Sequence, residues 1–93
     1  MALHPTFEML RLTIPFLMST AALLSGYDLM KRTGLAKQTC YDVAHRLADE
    51  GWFSAQVERA NLRMGMPPRT LYQITPKGLE QTRAALALLQ VST

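Results

Sequence analysis

Cysteine is almost missing from this chain. Cys40 is the one residue of its kind among 93, so no intrachain disulfide can form. A lone thiol fits a reducing cytoplasm. There is no Cys-x-x-Cys pair, and histidine occurs only at His4 and His45, so a structural zinc site lacks its ligands. The constellations of catalysis are missing too: no paired carboxylates, no nucleophile beside a base, no glycine-rich phosphate loop. Neither an enzyme nor a cofactor is expected. No tract is compositionally biased or repeated, which excludes solenoids and low-complexity tails. With 48% hydrophobic and 18% charged residues, the chain reads as one small folded domain spanning 1–93. Domains of this size often gain stability by pairing with a second copy.

Long hydrophobic runs are also scarce. The stretch LTIPFLMSTAALL after Arg11 is too short to span a bilayer, and no membrane partner is expected. It has the apolarity of a secretory-signal core, but Glu8 lies in its flank and Pro15 interrupts it. The downstream elements, moreover, need a helix to pack beneath them. Phe7, Leu10, Ile14 and Leu17 fall on one helical stripe with Met18 beside it, so residues 6–18 read as that helix, kinked or restarted at Pro15. Ala21 to Leu24 reads as extended, a short strand able to pair with a later hairpin.

Ser25 is a good N-cap, with Asp28 placed to help at the positive helix end. A second helix then covers Gly26–Thr33 with Leu29 and Met30 inward, and Gly34 stops it. Leu35 plugs the angle before a third helix, 36–50, which ends at Gly51. On that helix Cys40, Val43, Ala44 and Leu47 make a buried stripe. Opposite them lie Lys37, Gln38, Tyr41, Asp42 and His45. Phe53, Ala55 and Val57 alternate with Trp52, Ser54 and Gln56, the pattern of a half-buried strand. Residues 61–68 are turn-rich, and Thr70 to Thr75 form the return strand with Tyr72 and Ile74 inward. Thr75-Pro76 opens a last helix, 76–90, by joining an N-cap to proline at the first helical position.

Helix, turn, helix, hairpin, helix is the order of a winged helix-turn-helix, an α+β but mostly α architecture. The net charge of +3 supports a nucleic-acid partner by its placement. Residues 1–58 hold five basic and six acidic side chains, whereas 59–77 hold Arg59, Arg63, Arg69 and Lys77 and no acid. The excess charge is thus expected on the wing, 59–69. The distal half of the last helix, AALALL, is apolar all round and must be covered on two sides. Residues 76–91 are therefore read as a dimerisation helix. Leu79, Leu86 and Leu89 are expected on one stripe, with Ala85 and Leu88 on the other.

The segments SGYDLMKRTGLAKQTCYDVAHRLADEGWF (residues 25–53) and PPRTLYQITPKG (residues 67–78) resemble the PadR-like transcriptional regulators, bacterial winged-helix proteins. The likeness covers roughly residues 6–80. It implies a homodimeric cytoplasmic repressor, with Tyr41 facing DNA beside the start of the recognition helix and the wing following an adjacent minor groove. The chain departs from the family in lacking a long C-terminal dimerisation region, so no effector pocket is assigned.

The candidate DNA-binding residues are Lys37, Gln38, Thr39, Tyr41, Asp42, Arg46, Arg59, Arg63 and Arg69. Gln38 can pair bidentately with adenine, Lys37 can reach guanine or phosphate, and the Thr39 and Tyr41 hydroxyls suit phosphate oxygens. Asp42 suits a cytosine contact or the organisation of a neighbouring Lys or Arg. Arg46 is a phosphate clamp or a surface ion pair. Arg63 and Arg69, with Met64 and Met66, suit a wing at a narrow A·T-rich groove, with no acid to weaken the field. Cys40, on the buried stripe, reads as core rather than as a redox sensor, and His45 as surface. The alternative function is a winged-helix adaptor or antagonist that binds protein. Such a module needs more apolar surface on its recognition face than this sequence places there.

Overall fold

The computed structural model describes residues 6–58, 65 and 68–91, without the side chains of 90 and 91. Helices α1 (Phe7–Thr13), α2 (Gly26–Thr33), α3 (Lys37–Asp49) and α4 (Pro76–Val91) pack with strands β1 (Leu24–Ser25), β2 (Phe53–Glu58) and β3 (Arg69–Ile74). The sheet is antiparallel in the order β1-β3-β2. Leu24 lies opposite Tyr72, and the hairpin register runs from Phe53 against Ile74 to Glu58 against Arg69.

Local chemistry sets most boundaries. Thr6 caps α1 by accepting from the Met9 amide at 3.2 Å. Ser25 and Asp28 form a reciprocal capping box on α2: the Asp28 amide donates to Ser25 Oγ at 3.1 Å, and the Ser25 amide to Asp28 Oδ2 at 3.0 Å. The Ser25 amide, as the largest cause, holds the Asp28 carboxyl below its ordinary range. Gly34 stops α2 with φ 73°, a conformation that excludes most side chains. Pro15 neither kinks nor restarts the first helix as an α-helix. It sits in a 3-10 turn (Ile14–Phe16) that tightens the helix end.

The core gathers Met9, Leu12, Phe16, Leu29, Cys40, Ala44, Leu47, Trp52, Phe53, Tyr72 and Ile74. Phe53 stacks tilted between Phe16 and Tyr72, with ring centroids 5.1 and 5.7 Å away. Leu35 packs against this core, in the angle between α2 and α3. Buried Thr13, Thr33 and Thr82 donate their hydroxyls to helix carbonyls one turn back, and no buried side-chain polar atom is unsatisfied among the described residues.

Two expected faces are corrected. On the first helix Leu10 is buried as expected and Leu17 is half-buried, but the rest of the buried face is Met9, Leu12, Thr13 and Phe16, while Phe7 is 76% exposed and Ile14 and Met18 are exposed as well. The helix carries two apolar stripes of equal period, and the one facing α3 is the one the body covers. On β2 only Phe53 is buried; Ala55 is exposed and Val57 is 71% exposed. Trp52, expected on the wet side, is buried beside Phe53.

α4 is tied to the end of α3. Thr75 Oγ1 accepts from the Gly78 amide at 3.1 Å and donates to the carbonyls of Gly51 and Trp52 at 2.6 and 3.0 Å. Lys77 Nζ donates to the Glu50 carbonyl at 2.8 Å. A lysine counted with the wing thus serves a helix C-terminus, where cations are favoured. No helix among the described residues is long and apolar enough to cross a membrane.

Candidate nucleic-acid interface

α2, the Gly34 turn and α3 form the helix-turn-helix. α3 is seated through Cys40, Ala44 and Leu47, all fully buried. Burial raises the Cys40 thiol above its ordinary range, and its sulfur lies 3.7 Å from the Gly26 carbonyl as a weak donor. Cys40 is therefore a buried core residue at the contact between α2 and α3. Fixing that face fixes the opposite one: Lys37, Gln38, Thr39, Asp42, His45 and Arg46 are exposed along the outer side.

Two of these side chains are organised. Gln38 Nε2 donates to Asp42 Oδ1 at 2.9 Å, one turn along the helix. The partner of Asp42 is thus a glutamine rather than a lysine or arginine, and the bond aims the Gln38 amide along the helix face. Arg46 makes no ion pair among the described residues and stands exposed toward the C-terminal half of α3.

Tyr41 is not on the open face. It is half-buried, its ring lying where a side chain on Gly26 would stand: a Cβ there would come 2.0 Å from Tyr41 Cε1. The glycine that starts α2 therefore admits the tyrosine ring. Tyr41 is also close enough to Tyr72 to act on its phenol, which burial above all pushes above the usual range.

The wing begins at the β2–β3 hairpin. Arg69 Nε and Nη2 meet Glu58 Oε1 and Oε2 at 3.2 and 3.3 Å across the register. The acid-free stretch expected from residue 59 onward is thus met at its base by a carboxylate, and Arg69 is partly neutralised. Arg59 and Arg63, with Met64 and Met66, lie outside the described residues.

On α4, Gly78, Thr82 and Ala85 face inward, and Leu79 packs on the core. Leu79 is thus an internal contact first, not the base of an outer stripe. Leu86 is half-buried, Leu88 is 71% exposed and Leu89 is 45% exposed. Leu88, Leu89 and Ala85 line a groove of about 370 Å³ with Phe7 and Leu10 of α1. Phe7 was not singled out from the sequence for this surface, because it was placed in the core stripe.

No protein-family model matches this chain, and no curated protein matches it. Among solved structures it is similar to a PadR-family transcriptional regulator from Eggerthella lenta DSM 2243, at 25% identity over 90% of this chain and 78% of that one, with a TM-score of 0.69. It is similar also to a PadR-like transcriptional regulator from Bacillus cereus strain ATCC 14579, at 21% identity over 91% of this chain and 84% of that one, with a TM-score of 0.60. With its own element order, sheet register and capped helix-turn-helix, the chain has the PadR-like winged helix-turn-helix fold.

Proposed function

We propose that this protein is a DNA-binding transcriptional regulator, acting as a homodimeric repressor on an inverted-repeat operator. The observation that carries the reading is the outer face of α3. Lys37, Gln38, Thr39 and Asp42 form an exposed polar surface at the N-terminal half of the second helix of a helix-turn-helix. Gln38 and Asp42, joined to each other, read base edges; Lys37 and Thr39 hold phosphates, as do Arg46 and the wing arginines. The similarity to named transcriptional regulators supports the same reading.

The dimer is assigned to the groove between α1 and α4. Leu88, Leu89 and Phe7 together leave a large apolar area on a 93-residue chain, and a second copy related by a twofold axis covers it. Such a dimer carries paired recognition helices to half-sites about 34 Å apart, one turn of duplex.

The test is a fluorescence-anisotropy titration of mixed-sequence duplex across a range of salt. Roughly six to ten phosphate contacts per dimer give a log–log slope of about −5 to −9. A flat salt profile, or no binding at low salt, refutes the reading and leaves a protein-binding module in its place.

A further inference from the structure

A cleft of about 520 Å³ opens between the start of α2, the flank of α3 and β3. Tyr27, Tyr41, His45, Arg69 and Thr70 stand in its walls, and no carboxylate lines it among the described residues. Two acids act on Arg69 from outside the lining: Glu58 accepts from its guanidinium, and Asp28, whose Oδ2 accepts from the Ser25 amide, is attracted to it electrostatically. Phenol, imidazole, guanidinium and hydroxyl are all able to donate, so the lining suits an anion rather than a cation or an apolar ligand. Its place suits one anion in particular. A duplex seated on the outer face of α3 carries its backbone past this cleft toward the wing.

We propose that the cleft is a seat for one phosphodiester of duplex DNA, with His45 as its pH-dependent cation and Gly26 as the residue that positions Tyr41 in its wall. The proposal rests on the DNA-binding reading above and adds residues to it. Arg69 is held by Glu58 through Nε and Nη2, which leaves its Nη1 to reach the phosphate and reduces the net charge it offers. His45 follows Tyr41 by one helical turn and is exposed on the cleft side of α3. Imidazole is the one side chain whose charge ordinarily changes between about pH 5 and 8.

The groups around His45 are of mixed sign. From α2 come Tyr27, with Lys31 Nζ 5.2 Å from its ring centre, and Asp28. On α3 itself stand Tyr41 and, at helical spacings, Asp42, Arg46 and Asp49. From β3 come Arg69 and Tyr72, and from β2 Glu58 through its pair with Arg69. Binding adds the phosphate's fixed negative charge to these surroundings, so a protonated His45 strengthens binding and DNA binding takes up a proton. Gly26 acts through Tyr41: any side chain there meets the ring and turns it out of the wall, carrying the phenol away from the phosphate.

The experiment uses the full chain and a mixed-sequence duplex, read by anisotropy at fixed ionic strength. Between about pH 7.5 and pH 5.5 the wild type should tighten by roughly fivefold per site, the scale of one charge-assisted contact. His45→Gln should remove that rise, and His4→Gln, which changes the other histidine, should keep it. Proton NMR of the wild-type imidazoles should show the His45 titration midpoint move upward when duplex is added. Tyr41→Phe should weaken binding by roughly threefold, as should Gly26→Ala, and Tyr41→Phe reads the hydroxyl directly if the alanine variant does not fold. Duplex binding that is flat with pH, a rise that survives in His45→Gln, or a midpoint unmoved by DNA overturns the phosphate seat and leaves the regulator standing. Wild-type affinity in a folded Gly26→Ala or in Tyr41→Phe overturns the positioning role. No duplex binding at any pH overturns the seat and the DNA-binding reading together.

Discussion

Gly78→Ala tests how α4 is held, and the sign of its effect is informative. Gly78 lies inside the first turns of α4 and has no positive φ, so helix propensity alone favours alanine by about 1 kcal/mol. The structure opposes that gain. A Cβ at residue 78 would stand 2.3 Å from the Trp52 carbonyl oxygen and 3.0 Å from Ile74 Cγ1. The carbonyl is not a flexible neighbour, because it accepts from the Thr75 amide at 2.9 Å and from Thr75 Oγ1 at 3.0 Å. Relief of the overlap moves the first turn of α4 by roughly 1 Å, at an overpacking cost of about 1–3 kcal/mol. Loosening the Thr75 hydrogen bonds adds about 1 kcal/mol. Against the propensity gain, the net is a destabilisation of about 1–3 kcal/mol. For a domain of this size that lowers Tm by roughly 4–24 °C. Urea and thermal melts of Gly78→Ala beside Gln81→Ala, an exposed position on the same helix, give the comparison. A Gly78→Ala protein as stable as the wild type, or more stable, would refute the close approach of α4 to Trp52.

The dimer surface is checked by Leu88→Glu, with Leu89→Glu beside it. Each should give a folded monomer in sedimentation that binds DNA weakly, and wild-type protein that stays monomeric at tens of micromolar rules the assignment out. Gln38→Ala should cost about 1–3 kcal/mol on a selected operator and little on random duplex, whereas equal losses on both would show a backbone contact only. Asp42→Ala should relax base preference at the same position, since it releases the Gln38 amide. The Asp28 carboxyl is held below its ordinary range in the folded state, so its contribution is present above about pH 4 and is lost as pH falls through the folded value. Asp28→Asn should therefore flatten the acid limb of a stability-versus-pH curve, and an unchanged acid limb would remove the capping box as its source.

The chain order of elements and their ends were legible in the sequence because they rest on neighbours a few residues apart. Ser25 and Asp28 close a capping box within four residues, Gly34 takes the left-handed conformation at its own Cα, and Thr75-Pro76 starts α4 by local chemistry. The stripe of Cys40, Ala44 and Leu47, with Val43 half-buried beside it, was legible for a related reason. That helix has one apolar face, so periodicity leaves a single choice of inside, and the outer residues of the candidate site follow from it.

Where a helix or strand offered more than one face, tertiary packing decided. α1 has overlapping stripes through Phe7 and through Met9, and the way it packs buries the second together with Leu10 and leaves Phe7 beside Leu88. Val57 continues a buried-strand pattern, yet β2 is exposed from Ser54 onward. Charge partners likewise depend on distances the sequence does not encode. Lys77 reaches back to the Glu50 carbonyl from 27 residues away, and Arg69 meets Glu58 only because the hairpin register brings residues 11 apart side by side. Tyr41 is the clearest case at the proposed site. Its place on α3 follows from helical spacing, but that its ring lies over Gly26 and closes a cleft with His45 and Arg69 is a property of how α2, α3 and β3 meet. Hydrogen bonds within a turn are fixed by the local chain, whereas contacts between elements exist only once the shared core has set their distance and angle.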